Sequence, residues 1–244
     1  KILLGGSCVR QGKSMPFLMR CAANGSTDPA FGANGVRYYD GLSIEGFDLL
    51  AVLPNGSILA HTFYNQLLRL SANGALDAAY GQNGILKLRQ HQRDYNGFGL
   101  SYPFPRDLAL YADGSAAVAT GVYNGFNFNG YVFRIAANGM LLSTFGNGGE
   151  AQWAENWNER CFSVRSISDG SILAGGRGVS RFGKGTPVLA HYLPNGAPDP
   201  SFGLNGKALL SYRDTSSQTF TDLEWLTDGR ILMLSTFFEK GSNY

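Results

Sequence analysis

Asp48, Asp107 and Asp222 stand near the starts of three segments that otherwise repeat one another, and Ser163 stands near the start of a fourth. Carboxylates brought to one channel mouth by equivalent elements could hold a hard cation through oxygen ligands. They could equally accept N–H bonds from a neighbouring element, and that structural role is the expectation. A second group of residues suits recognition. Aromatic and basic side chains crowd three stretches, RQHQRDYNGFGLSYPFPRD (89–107), YNGFNFNGY (123–131) and AQWAENWNERC (151–161). Arg93, Tyr95, Tyr102, Arg106, Tyr123, Phe126, Phe128, Trp153 and Trp157 are the candidate partner-binding residues. A rigid ring beside a polar group buries a large area at low entropy cost. The alternative is that these rings pack their own connectors onto the scaffold.

Acid–base chemistry has little to build on. His61, His91 and His191 lie in separate repeats, and no GxSxG, HExxH, P-loop or CxxC pattern occurs. No catalytic residue and no metal-ligand set is assigned. The expected cofactor is none, apart from a structural divalent cation at the three aspartates as the alternative to their structural role.

The elements that position these residues come from two interleaved repeats. One is a twelve-residue segment: NGSTDPAFGANG (24–35), NGALDAAYGQNG (73–84), NGMLLSTFGNGG (138–149) and NGAPDPSFGLNG (195–206). The other is a turn flanked by β-type runs: LPNGSILA (53–60), YADGSAAVA (111–119), SDGSILAGG (168–176) and TDGRILMLS (227–235). Asn-Gly and Asp-Gly between alternating apolar runs signal tight hairpins. Four short antiparallel strands per repeat, recurring along the chain, are the signature of a β-propeller.

The twelve-residue segment reads as scaffold. Asp28, Asp77 and Asp199 are placed to cap one turn of helix, and Phe31, Tyr80, Phe145 and Phe202 supply an aromatic plug. Leu142 stands where the other copies have Asp, a loss that a cap tolerates and a catalytic or metal-binding carboxylate does not. A basic residue precedes each copy by four positions: Arg20, Arg69, Arg134 and His191. The expected role is hydrogen bonding to loop carbonyls or to the capping Asp, with a ring of anion-binding side chains as the alternative.

The 244 residues carry 33 glycines, 16% charged residues and a net charge of +2 with both signs scattered. That pattern excludes an electrostatic case for nucleic acid or an anionic membrane. No apolar run approaches the roughly 18 residues of a membrane-spanning helix. Cys8, Cys21 and Cys161 lack metal-ligand spacing. Buried free thiols are expected, with a Cys8–Cys21 bridge as the alternative.

The strings DGSILAGG (169–176) and NGAPDPSFGLNGK (195–207), joined by a run with a basic residue, resemble the delta-60 repeat of secreted and surface-associated bacterial proteins. The resemblance covers nearly the whole chain. It implies a β-propeller fold and a bacterial, extracytoplasmic setting (periplasmic, secreted or cell surface), and it transfers no catalytic residues. The blade order also resembles that of kelch propellers.

The expected fold is therefore all-β, a propeller of four-stranded antiparallel blades. Its single domain spans 1–244, with a partial blade at 1–40, blades at about 46–90, 105–154 and 161–212, and a partial blade at 219–244. About five repeats sampled from a ring of up to seven blades is preferred to a small closed ring. The expected function is a non-enzymatic binding or assembly module that contacts a protein or glycan through its variable-loop face. Attachment to a larger surface assembly fits that reading. A polysaccharide hydrolase or lyase acting at the channel mouth, and a purely structural domain of a surface protein or filament, are the rivals.

Overall fold

Runs of β-branched, aliphatic and aromatic residues, cut by Asn-Gly and Asp-Gly turns, fold into sheets of short antiparallel strands. The fold is all-β, a propeller type built from four-stranded antiparallel blades. The computed structural model describes residues 1–10, 12–40, 42, 46–62, 66–88, 103–123, 128–153, 160–179, 185–210 and 217–238. The chain divides into two compact units, Lys1–Leu88 with Ala137–Met140, and Arg89–Ala136 with Leu141–Tyr244.

The first unit holds two sheets. One is β1 (Ile2–Arg10), β2 (Lys13–Cys21) and β3 (Val36–Tyr38), hydrogen-bonded in that order. The other is β4 (Phe47–Val52), β5 (Ile58–Thr62), β6 (Gln66–Leu70) and β7 (Ile85–Lys87). The second unit holds three. They are β8 (Pro103–Leu110) to β11 (Glu150–Gln152), with β9 (Ala116–Tyr123) and β10 (Phe128–Ile135) between them; β12 (Arg160–Ser166), β13 (Ile172–Val179), β14 (Gly185–Tyr192) and β15 (Lys207–Leu209); and the pair β16 (Ser217–Trp225) and β17 (Ile231–Phe238).

Burial follows strand position. β5 is buried at every residue and β14 at all but His191, as expected of strands covered on both faces. β17 alternates instead: Ile231 and Met233 pack against Leu173, Leu189, Phe220 and Leu223, while Leu232 and Leu234 face solvent. The main core of the second unit mixes Trp153, Phe145 and Tyr192 with six alanines, Ala109, Ala117, Ala119, Ala151, Ala174 and Ala190. The small side chains let neighbouring sheets approach closely around the few large ones. Leu18, Phe31, Phe47, Ile58 and Leu68 anchor the core of the first unit.

The twelve-residue segment links one repeat to the next. Phe31 and Phe145 are fully buried and Tyr80 nearly so. The expected helical turn is replaced by a single reverse turn, in which Phe31 N–H donates to the Asp28 carbonyl at 3.0 Å. The physical reason is Gly32, whose φ of 55° leaves the helical region at the next residue. The Asp side chains still cap the turn, with Oδ1 accepting from Ala30, Ala79 and Ser201 N–H at 3.2, 3.1 and 2.9 Å.

The recurring basic residues brace these turns. Arg20 donates to Asp28 at 2.7 Å and to the Ala72 carbonyl of the following turn at 2.6 Å. Arg69 repeats the arrangement with Asp77 at 2.7 Å and Ala137 at 2.5 Å. His191 contacts Asp199 through Nδ1 at 2.8 Å and Ser171 Oγ through Nε2 at 3.0 Å. Where Leu142 removes the carboxylate, Arg134 turns to Ser115 Oγ at 2.7 Å and lies 3.4 Å over the Tyr111 ring. Burial raises the Tyr111 phenol to about 12, so its hydroxyl remains a donor to the Ser171 carbonyl at 2.9 Å.

These pairings carry a pH dependence. A hydrogen bond from Lys1, aided by Ala30 N–H and Arg20 and opposed by burial, lowers Asp28 from 3.8 to about 2. The folded pKa lies below the unfolded one, so the stabilisation is complete above about pH 4 and is lost as pH falls towards 2. Asp199 shifts the same way through Ser201 and His191. Acid titration monitored by circular dichroism should show stability falling in that window, with a shallower loss in Asp28→Asn.

The three cysteines are free. Cys8 lies opposite Met15 and Cys21 opposite Ile2 in the β1–β2 ladder. Six residues of strand, about 20 Å, separate the two positions, far beyond the roughly 7 Å Cα limit of a disulfide.

Candidate functional site

β4, β8, β12 and β16, the first strands and hence the inner strands of their sheets, each carry a register shift. Asp107, Ser163 and Asp222 lie directly after the shift in β8, β12 and β16, opposite Ala119, Gly175 and Leu234. In β4 the equivalent residue, opposite His61, is Leu49. Asp48 is the bulged residue before it, matching Arg106, Phe162 and Thr221. The expected set of three equivalent aspartates therefore reduces to two. The reason is one of count: Asp48 precedes its turn glycine, Gly56, by eight residues, whereas Asp107 precedes Gly114 and Asp222 precedes Gly229 by seven.

Asp107 and Asp222 meet around Ser163 and Arg165. Ser163 Oγ lies 2.7 Å from Asp107 Oδ2 and 2.9 Å from Asp222 Oδ1, and its single proton serves one carboxylate at a time. Arg165 donates to Asp107 at 2.7 Å, to Asp222 at 3.1 Å and to Glu224 at 2.9 Å. Val164 N–H donates to Asp107 at 3.0 Å. Burial opposes the Arg165 charge, but Glu224, Asp107 and Asp222 outweigh it and raise the pKa. Burial likewise opposes the Asp222 charge, while Leu223 N–H, Ser163 and Arg165 lower its pKa. The cluster ties three inner strands together at equivalent positions. Among the described residues no group of three His, Cys, Asp or Glu side chains is disposed to hold a metal ion.

Asp48 pairs instead with His61 Nδ1 at 2.7 Å. An ionised carboxylate only accepts, which places the imidazole proton on Nδ1. His61 is buried, and its Nε2 has no partner among the described residues.

The contact of Asp107, Ser163 and Asp222 orients the second unit. Equivalent positions of β8, β12 and β16 adjoin, so the strand ends flanking connectors 89–102, 124–127, 154–159, 180–184 and 211–216 share one end of that unit. The scaffold contacts Tyr111 to Ser171 and Gly146 to Asn195 occupy the opposite end.

Arg93, Tyr95, Tyr102, Phe126 and Trp157 lie outside the described residues. Tyr123 closes β9 and Phe128 opens β10, on either side of connector 124–127. Arg106 is exposed, with its guanidinium 6.0 Å from the Phe162 ring. Trp153 departs from its expected place in a recognition surface. It has 0% exposure and belongs to the main core. Its backbone N–H donates to the Gly130 carbonyl at 2.8 Å, which continues the strand alternation past Gln152 and turns the ring inward with Ala151.

Sequence reasoning missed two features of this unit. One is the Arg165 hub. The other is a basic group at the connector end: Arg160 faces Arg177 directly across β12 and β13, with Arg106 nearby. Burial, then the charges of Arg106 and Arg177, lower the Arg160 pKa. Like charges placed opposite one another in a sheet are destabilising.

The comparisons with known proteins bear on the fold. A family model described as a domain of unknown function, DUF5122, β-propeller, matches residues 167–202. That span runs from the β12–β13 turn to the aromatic plug of the fourth twelve-residue segment. The chain is similar in structure to the WD40 β-propeller domain of Doa1, at 8% identity and a TM-score of 0.37, covering 90% of this chain and 71% of that one. It is also similar to BamB from Moraxella catarrhalis, at 11% identity and a TM-score of 0.26, covering 100% and 85% respectively. No curated protein matches it significantly in sequence. No helix among the described residues is long and apolar enough to cross a membrane. With the sheet order read from the chain and the matched segment inside its own repeat, the protein is a β-propeller repeat protein.

Proposed function

We propose that the chain is a non-enzymatic binding module that engages a protein or glycan through the connector end of its second unit. The observation that carries this reading is the meeting of Asp107, Ser163 and Asp222 around Arg165. It occupies carboxylates that a hydrolase would need and brings the strand ends that flank the non-repeating connectors to one end of the unit. The exposed Arg106 at that end favours an acidic partner surface. The likeness to delta-60 repeats supports a bacterial, extracytoplasmic setting and attachment to a larger surface assembly.

The test is binding to arrayed acidic surface proteins and glycans, with Tyr102→Ala, Trp157→Ala and Arg106→Glu as variants. Binding should weaken by about tenfold or more and fall with added salt, at an unchanged melting temperature. Loss of folding in step with loss of binding would overturn the reading.

A further inference from the structure

We propose that the first unit carries a separate site for a hydroxylated monocarboxylate of the uronic-acid type. A cleft of about 540 Å³ opens beside β1, β2 and β3, lined by Arg10, Arg37, Tyr38, Asp40 and Asn73 among others. That volume lies within the range of about 300–1,000 Å³ common to small-ligand sites.

Arg37 breaks the repeat. The equivalent residues of β7, β11 and β15 are Leu86, Ala151 and Ala208, each in the same register against the neighbouring strand. The scaffold thus requires no charge at this position, and three copies manage with an aliphatic side chain. Arg37 is half-buried, and its stem crosses Gly74, where an added Cβ would lie 3.1 Å from Arg37 Cδ. Arg10 reaches the same cleft from the end of β1, with its guanidinium 4.6 Å over the Tyr38 ring. Neither arginine has a hydrogen-bond or ion-pair partner among the described residues. Two guanidinium forks with no partner among the described residues suit a carboxylate, which they can engage through paired N–H bonds.

The remaining lining narrows the ligand. Asn73 Oδ1 already accepts from Ser71 Oγ at 2.6 Å and from Ala75 N–H at 3.2 Å, which leaves its amide N–H groups to donate. Asp40 offers an acceptor for hydroxyls and repels a second negative charge. Tyr38 is 39% exposed and presents ring surface to apolar C–H groups. Donors for one carboxylate, an acceptor for hydroxyls and a ring describe a sugar acid better than a dianion or a neutral sugar. These residues belong to the first unit, so the site stands or falls independently of the connector end of the second.

The experiment is calorimetric titration of the full chain at low salt with galacturonate, which carries a single carboxylate. The comparisons are galactose, its neutral counterpart, and inorganic phosphate. Galacturonate should bind while the other two do not, and Arg37→Leu and Arg10→Gln should each weaken it by about tenfold or more. Arg37→Leu installs the residue found at position 86, so the melting temperature should hold. If it fails to fold, Arg10→Gln, on an exposed hairpin end, decides alone. Equal binding of the neutral sugar or of phosphate, no binding of the uronate, or full affinity in the folded variants would overturn the proposal.

Discussion

Trp153→Ala should lower the stability of the chain by about 3–5 kcal/mol, the range for truncating a fully buried large aromatic residue. The indole is the largest fully buried side chain among the described residues. It packs within a core otherwise rich in alanine, so few neighbours are long enough to fill the space it would leave. Gly130 sharpens the effect, because an added Cβ there would lie 2.8 Å from Trp153 Cβ. The backbone has approached closely to accept this one ring. Chemical denaturation should show the midpoint falling, with Trp153→Phe losing less. A loss below about 1 kcal/mol would place the ring outside the core, where substitutions are usually mild.

The same residue shows where sequence reading stops. Trp153 stands at the head of an aromatic, polar stretch, and composition alone suggests a recognition loop. The signal that it packs inward was present in the alternation Ala151-Gln152-Trp153, but three residues are too few to tell a strand end from a connector. The blades were legible because Asn-Gly and Asp-Gly turns recur with one phase and propagate it along the chain. The pairing of Arg20 with Asp28 and of Arg69 with Asp77 was equally legible, because each pair is local and repeated. Contacts that join separate repeats were not. Arg165 and Glu224 occupy equivalent positions of β12 and β16, each five residues before its turn glycine, yet Ala51 and Ala109 fill that place elsewhere. Arg10 and Arg37 line one cleft only because the order β1-β2-β3 brings their strands together. Asp48 falls one residue out of step with Asp107 and Asp222, which counting back from the turn glycines reveals.

Gly196→Ala should also be severe, by about 2–4 kcal/mol. Two costs add: a left-handed backbone for a residue with a Cβ, about 1 kcal/mol, and overpacking of about 1–3 kcal/mol. Gly196 has φ of 81°, and an added Cβ would lie 2.4 Å from Gly146 N and 2.9 Å from Gly146 Cα. The neighbour is backbone and cannot rotate away. Moving it would also strain the hydrogen bond from Gly146 N–H to the Asn195 carbonyl, 2.7 Å long. The Asn-Gly turn of one repeat thus locks onto the aromatic turn of the repeat before it, as Gly74 does on Phe31 and Gly139 on Tyr80.

Gly229 provides the matched control. Its φ is 82° and an added Cβ there meets nothing within 4 Å, so Gly229→Ala carries the backbone cost without the contact. The difference in unfolding free energy between Gly196→Ala and Gly229→Ala, measured by denaturant titration, isolates the lock between repeats. A loss at Gly196 exceeding that at Gly229 by about 2 kcal/mol is the expected result, and equal losses at the two sites would contradict the assignment of the twelve-residue repeat to scaffold.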